Sequence, residues 1–180
     1  MSKKLPLIIL TTTIITASAA VMIFKRKNNK GLFHIKSYDG KFDIAFSNEW
    51  RLSKVKNELN ENSNLEAINT KNGICFIMFS KSKEELNNIT LEEYNENILN
   101  SIKGENIISS KSVKANDKDL YITEFDSYYE NVLVHYLLYT LDTENYYHQV
   151  MVALINNNIK NNHSKKIKDI NNILSTIREI

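Results

Sequence analysis

Asn131–Asn158 reads NVLVHYLLYTLDTENYYHQVMVALINNN, two long apolar runs separated by one tight polar break. Val132, Val134, Tyr136 and Leu138 alternate with Leu133, His135, Leu137 and Tyr139, so a strand here is mostly apolar on both faces, and each face needs a covering layer. Such a strand belongs in the middle of a sheet. Asp142–Asn145 supplies turn residues, and Tyr146–Leu154 resumes with β-branched and aromatic side chains, which predicts an antiparallel partner. This hairpin specifies a fold but carries no chemistry of its own.

Upstream of it, Asn106–Val113 and Leu120–Asp126 are two further strands joined by the polar Lys114–Asp119. Asp39-Gly40, between Phe33–Tyr38 and Lys41–Ser47, and Asn72-Gly73, between Leu65–Thr70 and Ile74–Ser80, are strong hairpin turns, because glycine reaches positive φ without a Cβ penalty. Phe42, Ile44 and Phe46 alternate with Asp43 and Ala45, predicting a strand buried on one side. Ile74–Phe79 is apolar on both. Trp50 is placed to close the end of the sheet, with ligand stacking as its functional reading. Lys54–Asn64 is charged and aperiodic, and reads as a loop.

Ser82-Lys-Glu-Glu85 and Thr90-Leu-Glu-Glu93 both match the capping box, so two helix starts are expected. The second runs to Lys103 with Leu91, Tyr94, Ile98, Leu99 and Ile102 on one stripe, and Gly104 stands where a left-handed cap is expected. Downstream, Ile167, Ile170, Ile173, Leu174 and Ile177 predict a terminal helix over Asn162–Ile180 docked on the sheet. The order ββ, ββ, αα, ββ, ββ, α predicts one α+β domain over residues 31–180, a central antiparallel sheet with helices packed on its faces.

These residues resemble the PsbP-like domains, named after the extrinsic photosystem II subunit and found in many bacterial envelope proteins. The resemblance rests on Asp39-Gly40-Lys41-Phe42-Asp43-Ile44-Ala45-Phe46 leading to Trp50, on Lys81–Leu86 followed by Thr90-Leu91-Glu92-Glu93-Tyr94, and on the late paired strands before a terminal amphipathic helix. It covers about residues 33–180. It implies an α/β/α sandwich and an envelope location, and it carries over no catalytic set. The family's proline before the tryptophan is absent here.

Residues 1–30 differ in kind. Leu5–Phe24 is an uncharged, largely apolar run, long enough as a helix to cross the roughly 30 Å of bilayer hydrocarbon, with Lys3 and Lys4 before it and Lys25, Arg26, Lys27 and Lys30 after it. It reads as a single membrane anchor whose partner is the lipid bilayer. A cleaved export signal ending at Ala17-Ser18-Ala19 is the competing reading, and would leave a secreted domain. The flanking charges favour a cytoplasmic domain; the order of basic head, apolar run and small residues favours export, and the expectation is a domain outside the cytoplasmic membrane.

The chain has 23 Lys and Arg against 21 Asp and Glu, but six of the bases and none of the acids lie in residues 1–30, leaving 17 against 21, or −4, for the domain. The positive charge therefore sits beside the membrane segment, which excludes a nucleic-acid reading. The four glycines are all taken by a linker, turns or a cap, so no phosphate loop or dinucleotide fingerprint can be written. His34, His135, His148 and His163 show no ligand spacing, and Glu84, Glu85, Glu92, Glu93 and Glu96 are accounted for by helix N-termini rather than by a metal. Neither a metal, a cofactor nor a catalytic group is expected. A lone Cys75 in an apolar strand reads as an inert core residue.

Aromatic residues are the remaining functional signal. Trp50, Tyr128, Tyr129, Tyr139, Tyr146 and Tyr147 are the candidate binding surface, because rigid rings give contact area at little entropic cost and suit protein, peptide or glycan partners. The expected function is a membrane-anchored, noncatalytic binding or scaffolding domain of the envelope; the alternative is an enzyme, such as a hydrolase, with a dispersed site.

Overall fold

The computed structural model describes residues 31–52, 58–115, 118–129, 131–154 and 163–180. The anchor or signal over Leu5–Phe24 lies outside the described residues, as does most of the polar linker that follows it. The strands are β1 (Leu32–Lys36), β2 (Phe42–Ser47), β3 (Arg51–Leu52), β4 (Leu65–Asn69), β5 (Ile74–Ser82), β6 (Asn106–Ala115), β7 (Lys118–Tyr129), β8 (Val132–Asp142), β9 (Tyr146–Leu154) and β10 (Arg178–Glu179). The helices are α1 (Leu91–Ser101) and α2 (His163–Leu174).

Every pairing is antiparallel, and the large sheet runs β3-β4-β5-β9-β8-β7-β6. The β8–β9 hairpin lies in its middle, as the apolar pattern requires. Leu137, Tyr139 and Leu141 face one core with Phe76, Val150 and α2; Val134, Tyr136 and Leu138 face the other with Ile77, Phe79 and the α1 residues Tyr94 and Ile98. Both faces of β8 are thus covered by separate apolar layers.

The expectation of one sheet is corrected: β1, β2 and β10 form a second, three-stranded sheet that packs beside α2 on the first of these cores. The strand β2 is not one-sided either. It lies between β1 and β10, and Asp43 and Ala45 are as buried as the phenylalanines beside them. Burying Asp43 is tolerable because its carboxylate accepts from Arg178 Nε at 2.8 Å, with Arg178 Nη2 at 2.6 Å, and meets His34 Nδ1 at 2.8 Å.

The terminal helix is shorter than its apolar stripe suggests. It stops at Leu174, and the chain turns through Thr176 to add β10 against β2. The Thr176 hydroxyl donates to Ile173 O at 2.6 Å and accepts from Ala45 N at 2.9 Å, so it closes the helix and pairs a strand amide that β10 is too short to reach. Ile177 still reaches the core, but from this turn.

The Thr90 capping box is present, with the hydroxyl accepting from Glu93 N at 3.1 Å and the Glu93 carboxylate from Thr90 N at 2.8 Å. The Ser82 box is not. Ser82 completes β5 opposite Tyr146, and Glu84–Leu86 makes only a 3-10 turn ended by Asn87 and Asn88 at positive φ. Gly40 and Gly73 adopt the predicted positive φ, 74° and 61°, whereas Gly104 does not, because α1 closes at Ile102 through a bond from its amide to Leu99 O.

Asp43 gives a pH prediction. Burial pushes its carboxyl up, but the Arg178 and His34 hydrogen bonds outweigh this and hold it below its ordinary value. The stability it contributes is therefore complete above the ordinary carboxylate range, about pH 4, and is lost as pH falls through the lowered folded value. In urea titrations, Asp43→Asn should differ most from the parent near neutrality and converge on it in acid; a gap constant with pH would show that ionisation is not involved.

Candidate functional site

The six aromatic candidates do not form one surface. Tyr139 is fully buried and Tyr147 and Trp50 nearly so, Tyr146 is half-buried, and Tyr128 is exposed. Strand alternation explains the division, since neighbours such as Tyr146 and Tyr147 must point to opposite faces. Tyr139 lies opposite Ile122 and Val150 at the sheet centre, which removes it from any binding surface. Tyr147 stacks on Tyr94 at 4.8 Å, and its hydroxyl donates to Ile89 O, so it is spent on holding the α1 approach. Tyr128 and Tyr129 end β7, away from the others.

Trp50 is a wall of a cleft. The cleft has a volume of about 400 Å³ and opens between α2, the end of β2 and the turn joining β4 to β5. Trp50, Ile74, Ile170 and Ile173 supply apolar lining; Glu49, Asn69, Asn72, Lys166, Asp169 and Asn172 bring polar groups. The turn side is fixed by its own bonds. Lys71 Nζ donates to Glu49 Oε1 at 2.8 Å, Asn72 Nδ2 to Glu49 Oε2 at 3.5 Å, and Asn72 N to Asn69 Oδ1 at 3.1 Å. The hydrogen bond from Lys71 holds the Glu49 carboxyl below its ordinary value. A carboxylate stabilised in its charged form accepts hydrogen bonds well and donates protons poorly.

The histidines with described side chains are engaged elsewhere. His135 Nδ1 meets Asp126 Oδ1 at 2.7 Å and its Nε2 meets Glu124 Oε1 at 3.0 Å, so both nitrogens are occupied by carboxylates of the neighbouring strand. His148 is fully buried between the Ser80 and Thr143 hydroxyls, at 2.8 and 2.9 Å. His34 is tied to Asp43. A general base needs a nitrogen aimed at substrate, and none of these three lines the cleft. Cys75 is buried, and burial pushes its thiol up to about 11, which suppresses the nucleophilic thiolate at neutral pH. Among the described residues no group of three or more His, Cys, Asp or Glu side chains is arranged to hold a metal ion.

The cleft's polar set was not legible as a site, because its members come from three separated stretches. Of these residues only Trp50 stands out in the sequence.

No protein-family model matches the sequence, and no curated protein matches it. Solved structures do. A crystal structure of a protein from Bacteroides thetaiotaomicron VPI-5482 matches with a TM-score of 0.57 and 14% identity, covering 84% of this chain and 49% of that one, so the present chain spans about half its length. The solution structure of cyanobacterial PsbP (CyanoP) from Synechocystis sp. PCC 6803 matches with a TM-score of 0.53 and 8% identity, over 89% of this chain and 99% of that one. At such identities the likeness is one of fold. The chain has a PsbP-like fold, a large antiparallel sheet with a smaller one beside it and two helices.

Proposed function

We propose that the chain is a membrane-tethered, noncatalytic binding domain of the envelope, held outside the cytoplasmic membrane by Leu5–Phe24, and that the cleft beside Trp50 receives its ligand. The cleft is the observation that carries this reading. Its volume falls within the roughly 300–1,000 Å³ of ordinary ligand sites, and its makeup, apolar surface bordered by carboxamides and opposite charges, suits a peptide or glycan segment better than a phosphate or a metal. Amide side chains donate and accept together, as hydroxyl-rich or peptide ligands require. Glu49, kept charged by Lys71, serves as an acceptor for such a ligand and not as the acid of a hydrolase.

Location and ligand are tested on the full chain in its own membranes. Alkaline phosphatase fused after Ile180 should be active, and protease added to intact cells should reach the domain. A photocrosslinking side chain at Asn72 should give a discrete adduct that Asn172→Trp, which fills the cleft from α2, abolishes. An inactive fusion with a protected domain would refute the location; an adduct unchanged by the filled cleft would refute the site.

A further inference from the structure

Eight large apolar side chains remain exposed among the described residues, and six of them, Leu32, Ile107, Ile108, Tyr128, Val132 and Leu133, lie at one end of the molecule. Strand register locates them. Ile74, Leu154, His135, Asp126 and Asn106 form one row across β5, β9, β8, β7 and β6. The β7–β8 hairpin projects past that row, with Tyr128 opposite Leu133 on one face and Tyr129 opposite Val132 on the other. Asn131, at φ 67°, turns the chain there. Ile107 and Ile108 begin β6 alongside, and Leu32 shares the cleft with Ile74 and Asn72 at this same end. The opposite end holds Ile180, bonded to Lys41 O, and the β8–β9 turn with Glu144.

Scattered exposed hydrophobics need no explanation, but a protruding tip that shows tyrosine, valine and leucine on both faces, with two isoleucines beside it, marks a contact surface. The identity of its partner follows from where the chain comes in. Leu32 opens β1 at this end, eight residues after Phe24, a separation that spans at most about 28 Å when fully extended. The end at which the chain enters the domain is thus the one that carries the apolar tip. Lys25, Arg26, Lys27 and Lys30 lie between Phe24 and Leu32 in sequence, suited to anionic headgroups.

We infer that the β7–β8 tip, with Ile107 and Ile108, is a bilayer-contact surface that seats the domain on the lipid headgroups. This rests on the membrane-tethered reading. A short tether makes the second contact intramolecular, so a patch too small to bind lipid from solution is still occupied. Tyrosine suits that depth, with its ring toward the acyl chains and its hydroxyl in water.

The test uses the full chain reconstituted in vesicles of phosphatidylcholine with phosphatidylglycerol. Val132→Cys, Leu133→Cys and Glu144→Cys are each labelled with an environment-sensitive dye; buried Cys75, its thiol raised to about 11, stays unlabelled in the folded chain. Dyes at positions 132 and 133 should shift to the blue and be quenched several-fold more by headgroup-level nitroxide lipid than the dye at 144. Equal quenching at all three, with the chain resistant to alkaline carbonate, would overturn the tip contact and leave the tether standing. Release of the chain by carbonate would overturn both. A blue shift at the tip that needs an added protein fraction and is absent with lipid alone would also overturn it, by making the tip a protein-binding surface.

Discussion

Trp50→Ala should destabilise the domain by about 3–5 kcal/mol, the range for removing a large buried aromatic side chain. The indole is 5% exposed, with its ring centroid 5.5 Å from Phe46 and 6.1 Å from Phe76, while Phe46 and Phe76 are 5.3 Å apart. Phe46 belongs to the small sheet and Phe76 to the large one. The three rings therefore form one cluster across the two sheets, and losing the indole, the largest of them, leaves a void beside the Phe46–Phe76 contact. Set against a typical domain stability of about 5–15 kcal/mol, this is roughly a fifth or more of the total. Trp50 is the chain's single tryptophan, so far-ultraviolet dichroism in urea is the appropriate readout. Trp50→Phe should recover most of the loss, since a ring still packs against both Phe46 and Phe76. An unchanged midpoint for Trp50→Ala would mean that the two sheets are held together elsewhere.

That aromatic junction was half legible. Trp50 after a β-rich stretch reads as a core residue, but that it links two sheets is not visible locally, because the small sheet is completed by β10, two residues long and paired to a strand 135 positions earlier through Arg178 and Asp43. A strand that short has no period. The same cause produced the overlong terminal helix: Ile177 continues the apolar stripe, and only the Thr176 bond to Ala45 shows that the helix has ended. Hairpins were legible because Gly40 and Gly73 meet a local conformational demand. The double-sided β8 was legible because burial on two faces erases alternation. Tyrosines grouped along the sequence do not make one surface, because period-two geometry assigns Tyr128 and Tyr129, and Tyr146 and Tyr147, to opposite faces.

Glu66 carries the other large effect, and sequence pattern did not identify it, since a glutamate in a strand ordinarily faces solvent. It is fully buried. Its Oε2 accepts from Leu59 N at 3.0 Å, and its Oε1 from Asn60 N at 2.8 Å and from the Ser63 hydroxyl at 2.7 Å, so the preceding turn is folded around the carboxylate. Leu59 is in turn packed in the α1-side core with Ile77. Glu66→Ala would strand two buried amides and a hydroxyl, each worth about 1–3 kcal/mol when left unpaired. Opening of the turn to water would recover part of that, and a net loss of about 3–5 kcal/mol is expected from two amides and a hydroxyl losing their acceptor together. Glu66→Gln keeps the size and one accepting oxygen but turns an NH₂ group toward donors, so it should fall between the parent and Glu66→Ala. Hydrogen exchange gives the local readout: the Leu59 and Asn60 amides should lose protection in Glu66→Ala by more than the global stability change accounts for. If those amides stay protected, or if Gln matches the parent, the turn is held by its own backbone and the buried Glu66 side chain is not what organises it.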